Sequence, residues 1–151
     1  MKSKEPVNKI VLIASDHAGL ALKESLQQAL PDWSWKDLGP SNPGSVDYPD
    51  FAQALAEKVA RGEATQGILI CGSGIGMSIA ANRHAGIRAA LVENPMSARL
   101  AREHNDANVI CLGRRFLAPE YAAEIVKIFA RPLFSNDPRH EARVKKTEVT
   151  P

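Results

Sequence analysis

The fold class of this chain follows from one stretch, Gly67-Ile-Leu-Ile-Cys-Gly-Ser-Gly-Ile-Gly-Met-Ser-Ile-Ala-Ala-Asn82. Its apolar run at residues 68–70 is typical of a strand buried in a parallel sheet. The three glycines at 72, 74 and 76 allow a sharp turn whose backbone N–H groups can point at a ligand. Residues 77–82 then predict the first turns of a helix. A strand, a glycine loop and a helix start together predict an anion site.

The same succession of strand and helix occurs five times along the chain. Strands are predicted at residues 9–14, 34–38, 67–71, 86–92 and 109–112, and helices at residues 20–30, 51–60, 77–82, 95–103 and 118–130. Regular alternation of this kind is typical of a three-layer α/β/α sandwich. The sequence therefore predicts a five-stranded parallel, Rossmann-like sheet with helices on both faces.

Beyond these repeats, the tail carries the pattern of one more helix. Asn136 or Asp137 is placed to cap it and Pro138 to occupy its first turn. Arg139 and Arg143 then lie four residues apart on one face, where like charges disfavour the helix slightly. An anion held between the two guanidinium groups would explain that spacing.

Composition excludes several classes of protein. The chain has 151 residues, 44% of them hydrophobic, which predicts one domain over residues 1–151 with peripheral tails at 1–8 and 147–151. No apolar run is long enough to span a bilayer, and the charged N-terminus lacks a signal-peptide core, so a cytoplasmic protein is expected. A net charge of +2 gives no reason to expect nucleic acid as a partner.

Two cysteines, Cys71 and Cys111, are expected to be free thiols in a reducing compartment, and no Cys/His spacing predicts a metal site. Cys111 lies inside an apolar strand and is predicted to be a core residue. Cys71 ends its strand beside loop amides and a helix start, which favour a reactive thiolate. A packed core thiol is the alternative for Cys71.

The glycine loop also leaves a nucleotide site open as an alternative. A dinucleotide fingerprint needs glycine at its sixth position, where this chain has Met77. Glu93 lies about twenty residues further on, where a dinucleotide site has an acidic residue for the ribose, and this keeps a weak nucleotide interpretation open. The lysine of a Walker loop is missing, so that type of nucleotide site is excluded. A nucleotide-binding module without catalysis therefore remains a rival hypothesis.

Sites in parallel α/β folds lie at the carboxyl ends of the strands. This rule brings three segments into one predicted site: residues 16–17, residues 71–76, and the segment around the fifth strand with its polar cluster at 104–108. Each side chain also has a plainer role open to it. Asp16 could cap a helix, Tyr48 could pack a loop, and the histidines and arginines could be surface groups.

Taken in order, several motifs resemble those of the B-type ribose-5-phosphate isomerases and their galactose-6-phosphate and allose-6-phosphate isomerase relatives. They cover about residues 8–146 and are Ser15-Asp-His-Ala-Gly19, Val46-Asp-Tyr-Pro49, Ile68-Leu-Ile-Cys-Gly-Ser-Gly-Ile-Gly76, Ile79-Ala-Ala-Asn82, Gly86-Ile-Arg-Ala89, His104-Asn-Asp-Ala-Asn108 and Arg139-His-Glu-Ala-Arg143. The resemblance implies an aldose–ketose isomerase that works through an enediolate without metal or cofactor. Ribose 5-phosphate is the expected substrate, and a hexose 6-phosphate is the alternative.

The resemblance also implies roles at the reacting end of the sugar. Cys71 would be the base that moves the proton between C1 and C2, with the Ser73 hydroxyl in support. A second subgroup has a glutamate base where this chain has Met77. Asp16 would assist proton transfer among the sugar oxygens. The developing oxyanion would be held by the backbone N–H groups of the glycine loop, which comprises Gly72, Ser73, Gly74, Ile75 and Gly76.

Ring opening and phosphate binding are implied in the same way. His104 would open the furanose ring and Asn105 would contact the sugar. The phosphate would be held by four side chains with Tyr48 nearby, namely His17, Arg115, Arg139 and Arg143. Family members form homodimers whose active sites combine residues of both subunits, and the same is expected here.

Overall fold

A computed structural model describes residues 10–131 and 134–149 of the chain. The five strands are β1 (Ile10–Ser15), β2 (Ser34–Asp37), β3 (Gln66–Cys71), β4 (Ala89–Leu91) and β5 (Val109–Gly113). The six helices are α1 (Leu20–Ala29), α2 (Tyr48–Ala60), α3 (Ile75–Ala81), α4 (Pro95–Glu103), α5 (Pro119–Phe129) and α6 (Pro138–Lys146). Over the described ranges, no helix combines the length and apolar character that a membrane span requires. The tail predicted at residues 1–8 lies outside those ranges.

The strands form one parallel sheet in the order β2-β1-β3-β5-β4, which confirms the predicted α/β architecture. Strand β3 lies at its centre, with Ile68 opposite Ile13 of β1 on one side and opposite Ile110 of β5 on the other. Strand β1 is followed by β2 on one side and by β3 on the other. A crevice therefore opens at the carboxyl ends of β1 and β3, where ligands bind in open α/β sheets.

Both faces of the sheet are covered, which explains the unbroken apolar runs of its central strands. Alternate side chains of a strand point to opposite faces. In β3, Ile68 and Ile70 join the core formed with α1, α4 and α5, whereas Leu69 and Cys71 join the core formed with α2 and α3. Every residue of β3 is buried. The central strand is thereby fixed from both sides and holds its last residue, Cys71, in place.

Two element boundaries differ clearly from the sequence-based expectation. Helix α2 begins at Tyr48 instead of residue 51, because Pro49 is accommodated at the first turn of a helix. Strand β4 has three residues instead of seven. The backbone around it is bound by side chains: Asn82 pairs with both the N–H and the C=O of Ala89, and Asn108 Oδ1 accepts from the N–H of Arg88.

Candidate active site

The carboxyl ends of β1 and β3 bring Asp16 and Cys71 to one crevice. Ser15 pairs with Ile70 in the parallel register, and the N–H of Asp16 donates to the Ile70 carbonyl at 3.1 Å. Asp16 and Cys71 are therefore the next residues along two hydrogen-bonded strands. The carboxyl group of Asp16 and the thiol of Cys71 therefore lie at the same edge of the sheet, as predicted.

Cys71 is 4% exposed, and its sulfur accepts a hydrogen bond from the backbone N–H of Gly74 at 3.1 Å. A donor aimed at sulfur stabilises the negatively charged thiolate. Cys111 has the opposite surroundings, since it is fully buried in β5 and complete desolvation raises the pKa of its thiol. Cys111 is confirmed as a core residue, and Cys71 is the thiol at the open edge of the sheet.

The glycine loop at residues 72–76 is held tightly against β5. The N–H groups of Arg114 and Arg115 donate to the carbonyls of Cys71 and Gly72 at 2.9 and 3.0 Å. Gly74 has φ +77°, and a Cβ added there would lie 2.9 Å from the carbonyl carbon of Leu112. Only glycine combines this backbone conformation with so close an approach. The donor to the Cys71 sulfur is therefore fixed by backbone contacts.

Two predicted binding residues lie directly on glycines of the loop. A Cβ added to Gly76 would lie 2.5 Å from Cζ of Tyr48, so the phenol ring covers the bare backbone there. A Cβ added to Gly72 would lie 3.4 Å from Cζ of Arg115, which places that guanidinium beside the loop. Tyr48 and Arg115 are thus brought to the same edge of the sheet as Cys71.

Asp16 and His17 leave β1 at this edge. Asp16 Oδ1 accepts from the N–H of Gly19 at 2.9 Å, which closes the turn before α1, whereas the helix itself has Gly19 as its N-cap and no side-chain cap. His17 Nδ1 accepts from the N–H of Val46 at 3.2 Å. With Nδ1 used as an acceptor, Nε2 is the ring nitrogen that can donate, and the residue is exposed. His17 thereby also anchors the loop that leads to Tyr48.

His104 and Asn105 lie at the other edge of the sheet. They follow the end of α4 and precede β5, whereas Cys71 pairs with Gly113 at the far end of that strand. The length of β5 alone separates the two edges by about 13 Å. Of the predicted segment around the fifth strand, the part that follows the strand lies beside Cys71, whereas the part that precedes it lies at the opposite edge of the same chain. Loops that enter parallel strands and loops that leave them occupy opposite edges.

Helix α6 lies with His104 at this second edge. The rings of His104 and His140 are in contact with centroids 4.3 Å apart and planes tilted by 38°, and Ser135 Oγ lies 2.8 Å from His140 Nδ1. The N–H of Ser135 also donates to the carbonyl of Glu103 at 3.1 Å. None of the helix residues is buried, so α6 projects its two arginines, Arg139 and Arg143, from this edge.

The tail helix is capped by Asp137, one of the two caps that the sequence predicted. Its Oδ1 accepts from the N–H of Arg139 at 2.8 Å, and its Oδ2 accepts from Arg139 Nη2 at 3.1 Å. These hydrogen bonds lower the pKa of Asp137 to about 2. Because folding depresses this pKa, the charged Asp137 cap stabilises the helix fully at pH values above the ordinary carboxyl pKa. That stabilisation is lost as the pH falls from there towards 2.

Sequence reasoning missed two groups of charged residues. Lys23 Nζ is buried and donates to Asp37 Oδ1 at 2.8 Å and to the carbonyl of Pro40 at 2.6 Å. Its position beside Leu22, on the apolar stripe of α1, is a signal that could have revealed it. The second group joins two arginines to Asp106 next to His104. Arg88 is 18 residues from Asp106, so no local pattern indicates that contact, whereas the i, i+4 spacing of Arg102 and Asp106 is a signal that could have indicated theirs.

Comparison with known proteins identifies the class. The chain belongs to the ribose/galactose isomerase family, whose model matches residues 11–147. A ribose 5-phosphate isomerase structure from Thermotoga maritima is 45% identical with a TM-score of 0.90, over 93% of this chain and 98% of that one. Ribose-5-phosphate isomerase B of Escherichia coli is 40% identical, over 91% of this chain and 93% of that protein. The resemblance seen in the motifs is thereby confirmed.

One related structure contains a ligand. Ribose-5-phosphate isomerase B from Mycoplasma genitalium, solved with bound ribulose-5-phosphate, is 41% identical to this chain with a TM-score of 0.86. The similarity covers 92% of this chain and 93% of that one. The fold of this chain is therefore shared with an isomerase structure that contains ribulose-5-phosphate.

The glycine loop gives a direct test of its packing. Gly74→Ala should lower the free energy of unfolding by about 2–4 kcal/mol, since it adds a clash to an unfavourable backbone conformation. Gly62→Ala is the matched control, because Gly62 has φ +79° with no atom within 4 Å of an added Cβ. It should cost only about 1 kcal/mol. Equal losses in chemical denaturation would show that the loop is not tightly packed at Gly74.

Proposed function

We propose that this chain is an aldose–ketose isomerase that interconverts ribose 5-phosphate and ribulose 5-phosphate. The observation that carries the proposal is Cys71, a thiol that accepts a backbone N–H at the crevice between β1 and β3. Family membership supports the reaction class. The pentose is favoured by the names of the relatives and by the ribulose-5-phosphate bound to the Mycoplasma genitalium enzyme.

In the proposed reaction, the Cys71 thiolate removes the proton from C2 of the open aldose while the carbonyl oxygen O1 becomes negative. The resulting enediolate takes the proton back at C1. The hydroxyl proton passes from O2 to O1, which leaves a carbonyl at C2 and completes the isomerisation. Asp16 lies on the adjoining strand and is the group proposed to assist this transfer between the oxygens.

Electrostatic support comes from the loop around the thiol. The Ser73 hydroxyl accepts from the N–H of Ile75 at 3.2 Å, so its own proton is available to a sugar oxygen. The backbone N–H groups of residues 72–76 are proposed to hold the oxyanion as charge develops on it. Fixed donors of this kind need no reorganisation during the reaction, which is the source of their catalytic effect.

The phosphate is proposed to bind away from the thiol. His17 Nε2 and Arg115 lie at the edge that carries Cys71, with the Tyr48 hydroxyl close to the loop. Arg139 and Arg143 are also proposed ligands, and both are exposed on α6. Guanidinium groups bind phosphate through paired hydrogen bonds, and a fixed phosphate orients the distant reacting carbons.

A second copy of the chain would complete the site. We infer a homodimer in which the edge with Cys71 faces the partner edge that carries four residues, namely His104, Asn105, Arg139 and Arg143. Within one chain, Cys71 lies at one edge of the sheet and these four residues lie at the opposite edge. A two-fold axis pairs each edge with its opposite, so one interface forms two complete sites.

The surface around the glycine loop supports this inference. Large apolar side chains are exposed on α3 and beside the loop, with Ile79 57% and Phe116 60% exposed. Ile75 and Leu91 are exposed there as well, and Leu91 lies against Gly74. Several large apolar side chains exposed around one loop favour an interaction site there. A second copy seated on it would bury these side chains and exclude water from the thiol.

A cytoplasmic location is part of the same proposal. The relatives are named as enzymes of sugar-phosphate metabolism, and both thiols of the chain are free. Reduced cysteines persist in the cytosol. The interconversion of ribose and ribulose 5-phosphates belongs to the pentose phosphate pathway.

An isomerase assay across three sugars tests the proposed substrate. Ribose 5-phosphate should be converted with a higher kcat/KM than allose 6-phosphate or galactose 6-phosphate. A preference for either hexose would replace the pentose in the proposal and keep the chemistry. No conversion of any sugar, together with thermal stabilisation by ATP or NAD, would instead support the nucleotide-binding module.

The two cysteines form a matched pair for testing the base. Cys71→Ala should still bind ribose 5-phosphate and should lose kcat by about three or more orders of magnitude, because the proton has no acceptor. Cys111→Ala removes the other thiol, which lies on the neighbouring strand β5, and this variant should retain the wild-type kcat. Proton exchange between solvent and the sugar that persisted in Cys71→Ala would exclude Cys71 as the base.

Mixing two inactive variants tests the shared site. Cys71→Ala and His104→Asn should each be poorly active alone, because each spoils both sites of its own dimer. After subunit exchange, half of the dimers are mixed and each has one intact site, so about a quarter of wild-type activity should return. Native mass spectrometry confirms the exchange. Mixed dimers without recovered activity would place both groups in one subunit.

A further inference from the structure

Asp106 lies two residues after His104 in an unusual backbone conformation. Its φ is +47°, in the left-handed region that few residues other than glycine adopt. Asp106 Oδ2 accepts from Arg88 Nη2 and its Oδ1 from Arg102 Nη1, each at 3.3 Å. The Asp106 carbonyl also accepts from Arg88 Nε at 2.8 Å. Two arginines therefore hold both the side chain and the backbone of one residue.

Each arginine is fixed independently of Asp106. Arg102 is buried on α4, with its guanidinium 5.7 Å from the ring centroid of Phe129, and its Nη1 also donates to the carbonyl of Ala107. The N–H of Arg88 donates to Asn108 Oδ1 at 2.8 Å. The clamp formed by Arg88, Asp106 and Arg102 thus joins the loop before β4, the loop before β5 and the end of α4.

Charge makes the aspartate essential to this arrangement. Burial lowers the pKa of Arg102, the nearby Arg88 lowers it further, and the Asp106 carboxylate opposes both effects. Without that carboxylate, two cations would face each other across the loop. We expect the arginines to separate and the left-handed turn to relax, which moves the residues on either side of it.

The clamp reaches the tail as well. Arg88 Nη1 donates to Glu148 Oε1 at 3.1 Å, just beyond the end of α6. One guanidinium therefore contacts the loop that carries His104 and the segment that follows the helix carrying Arg139 and Arg143. The peripheral character predicted for residues 147–151 stays a prediction, although Glu148 has this ion pair.

We propose that Asp106 is a positioning residue that holds His104 and Asn105 in the orientation needed for ring opening in the partner's site. This inference rests on the proposed function. Asp106 is not proposed to touch the substrate. It acts through the turn that it stabilises, because His104 and Asn105 are exposed and their backbone is fixed next to the clamp. A merely structural ion pair would change stability and leave the chemistry of the folded enzyme unchanged.

Two reactions separate these possibilities. Ribose 5-phosphate is mainly a closed furanose, so its turnover needs the ring opened. Ribulose 5-phosphate cannot close a furanose ring because its O5 carries the phosphate. Exchange of its C1 proton with D₂O therefore needs the thiol base and no ring opening. Loss of positioning should slow the first reaction selectively.

Asp106→Gly is the decisive variant, since glycine tolerates the left-handed turn and removes only the carboxylate. Turnover of ribose 5-phosphate should fall on the order of tenfold or more in kcat, with exchange from ribulose 5-phosphate within about twofold of wild type. Asp106→Asn keeps the turn and one acceptor oxygen and should show a smaller loss. Glu63→Gln, which removes an exposed carboxylate paired with Lys36, Lys58 and Arg61, is the control and should retain both rates.

Equal losses in both reactions, or no loss in either, would overturn the positioning role. The NMR signals of the His104 ring give a readout that does not depend on activity. They should shift in Asp106→Gly and remain in place in Glu63→Gln; unchanged signals in folded Asp106→Gly would also overturn it. A wild-type protein without turnover or exchange would refute the proposed isomerase function. The His104 signals would still show whether the clamp positions the His104 ring. Should Asp106→Gly fail to fold, Asp106→Asn supplies the same comparisons.

Discussion

The parallel pairing of β3 with β1 and β5 is the constraint on which the rest of the molecule depends. A strand buried on both faces must be covered by helices on both faces. Every connection between parallel strands must then run back along a face of the sheet to the edge where strands begin. All loops that leave strands consequently meet at one edge. Asp16 and Cys71 lie together because Ser15 pairs with Ile70, and the glycine loop is held because β5 continues alongside it.

The same constraint separates the remaining polar groups. Loops that enter strands lie at the opposite edge, where the rings of His104 and His140 are in contact and where the Asp106 clamp lies. Within one chain, Cys71 and the glycine loop therefore lie at one edge, and His104 and the two arginines of α6 lie at the other. The proposed homodimer would bring the two groups together, and the exposed apolar side chains beside the loop support that proposal.

Local pattern predicted much of this fold. The alternation of apolar runs gave five strands in the correct places, and the spacing of Asp137 and Pro138 gave the start of α6. The errors have physical causes. Helix α2 begins at Tyr48, earlier than predicted, because Pro49 fits a helix start. Strand β4 is shorter than predicted because the side chains of Asn82 and Asn108 bind the backbone at its beginning. Such long-range hydrogen bonds leave no periodic signal.

The sequence by itself determined the strand–loop–helix at residues 67–82 and the family, because these depend on short-range backbone geometry and on adjacent residues. Only the tertiary structure decided which groups share an edge and which surroundings each thiol has. Cys71 ends an apolar strand and Cys111 lies within one, yet across residues 10–131 and 134–149 only the Cys71 sulfur accepts a backbone N–H. Arg88 and Asp106 are 18 residues apart, and they meet because β4 pairs with β5.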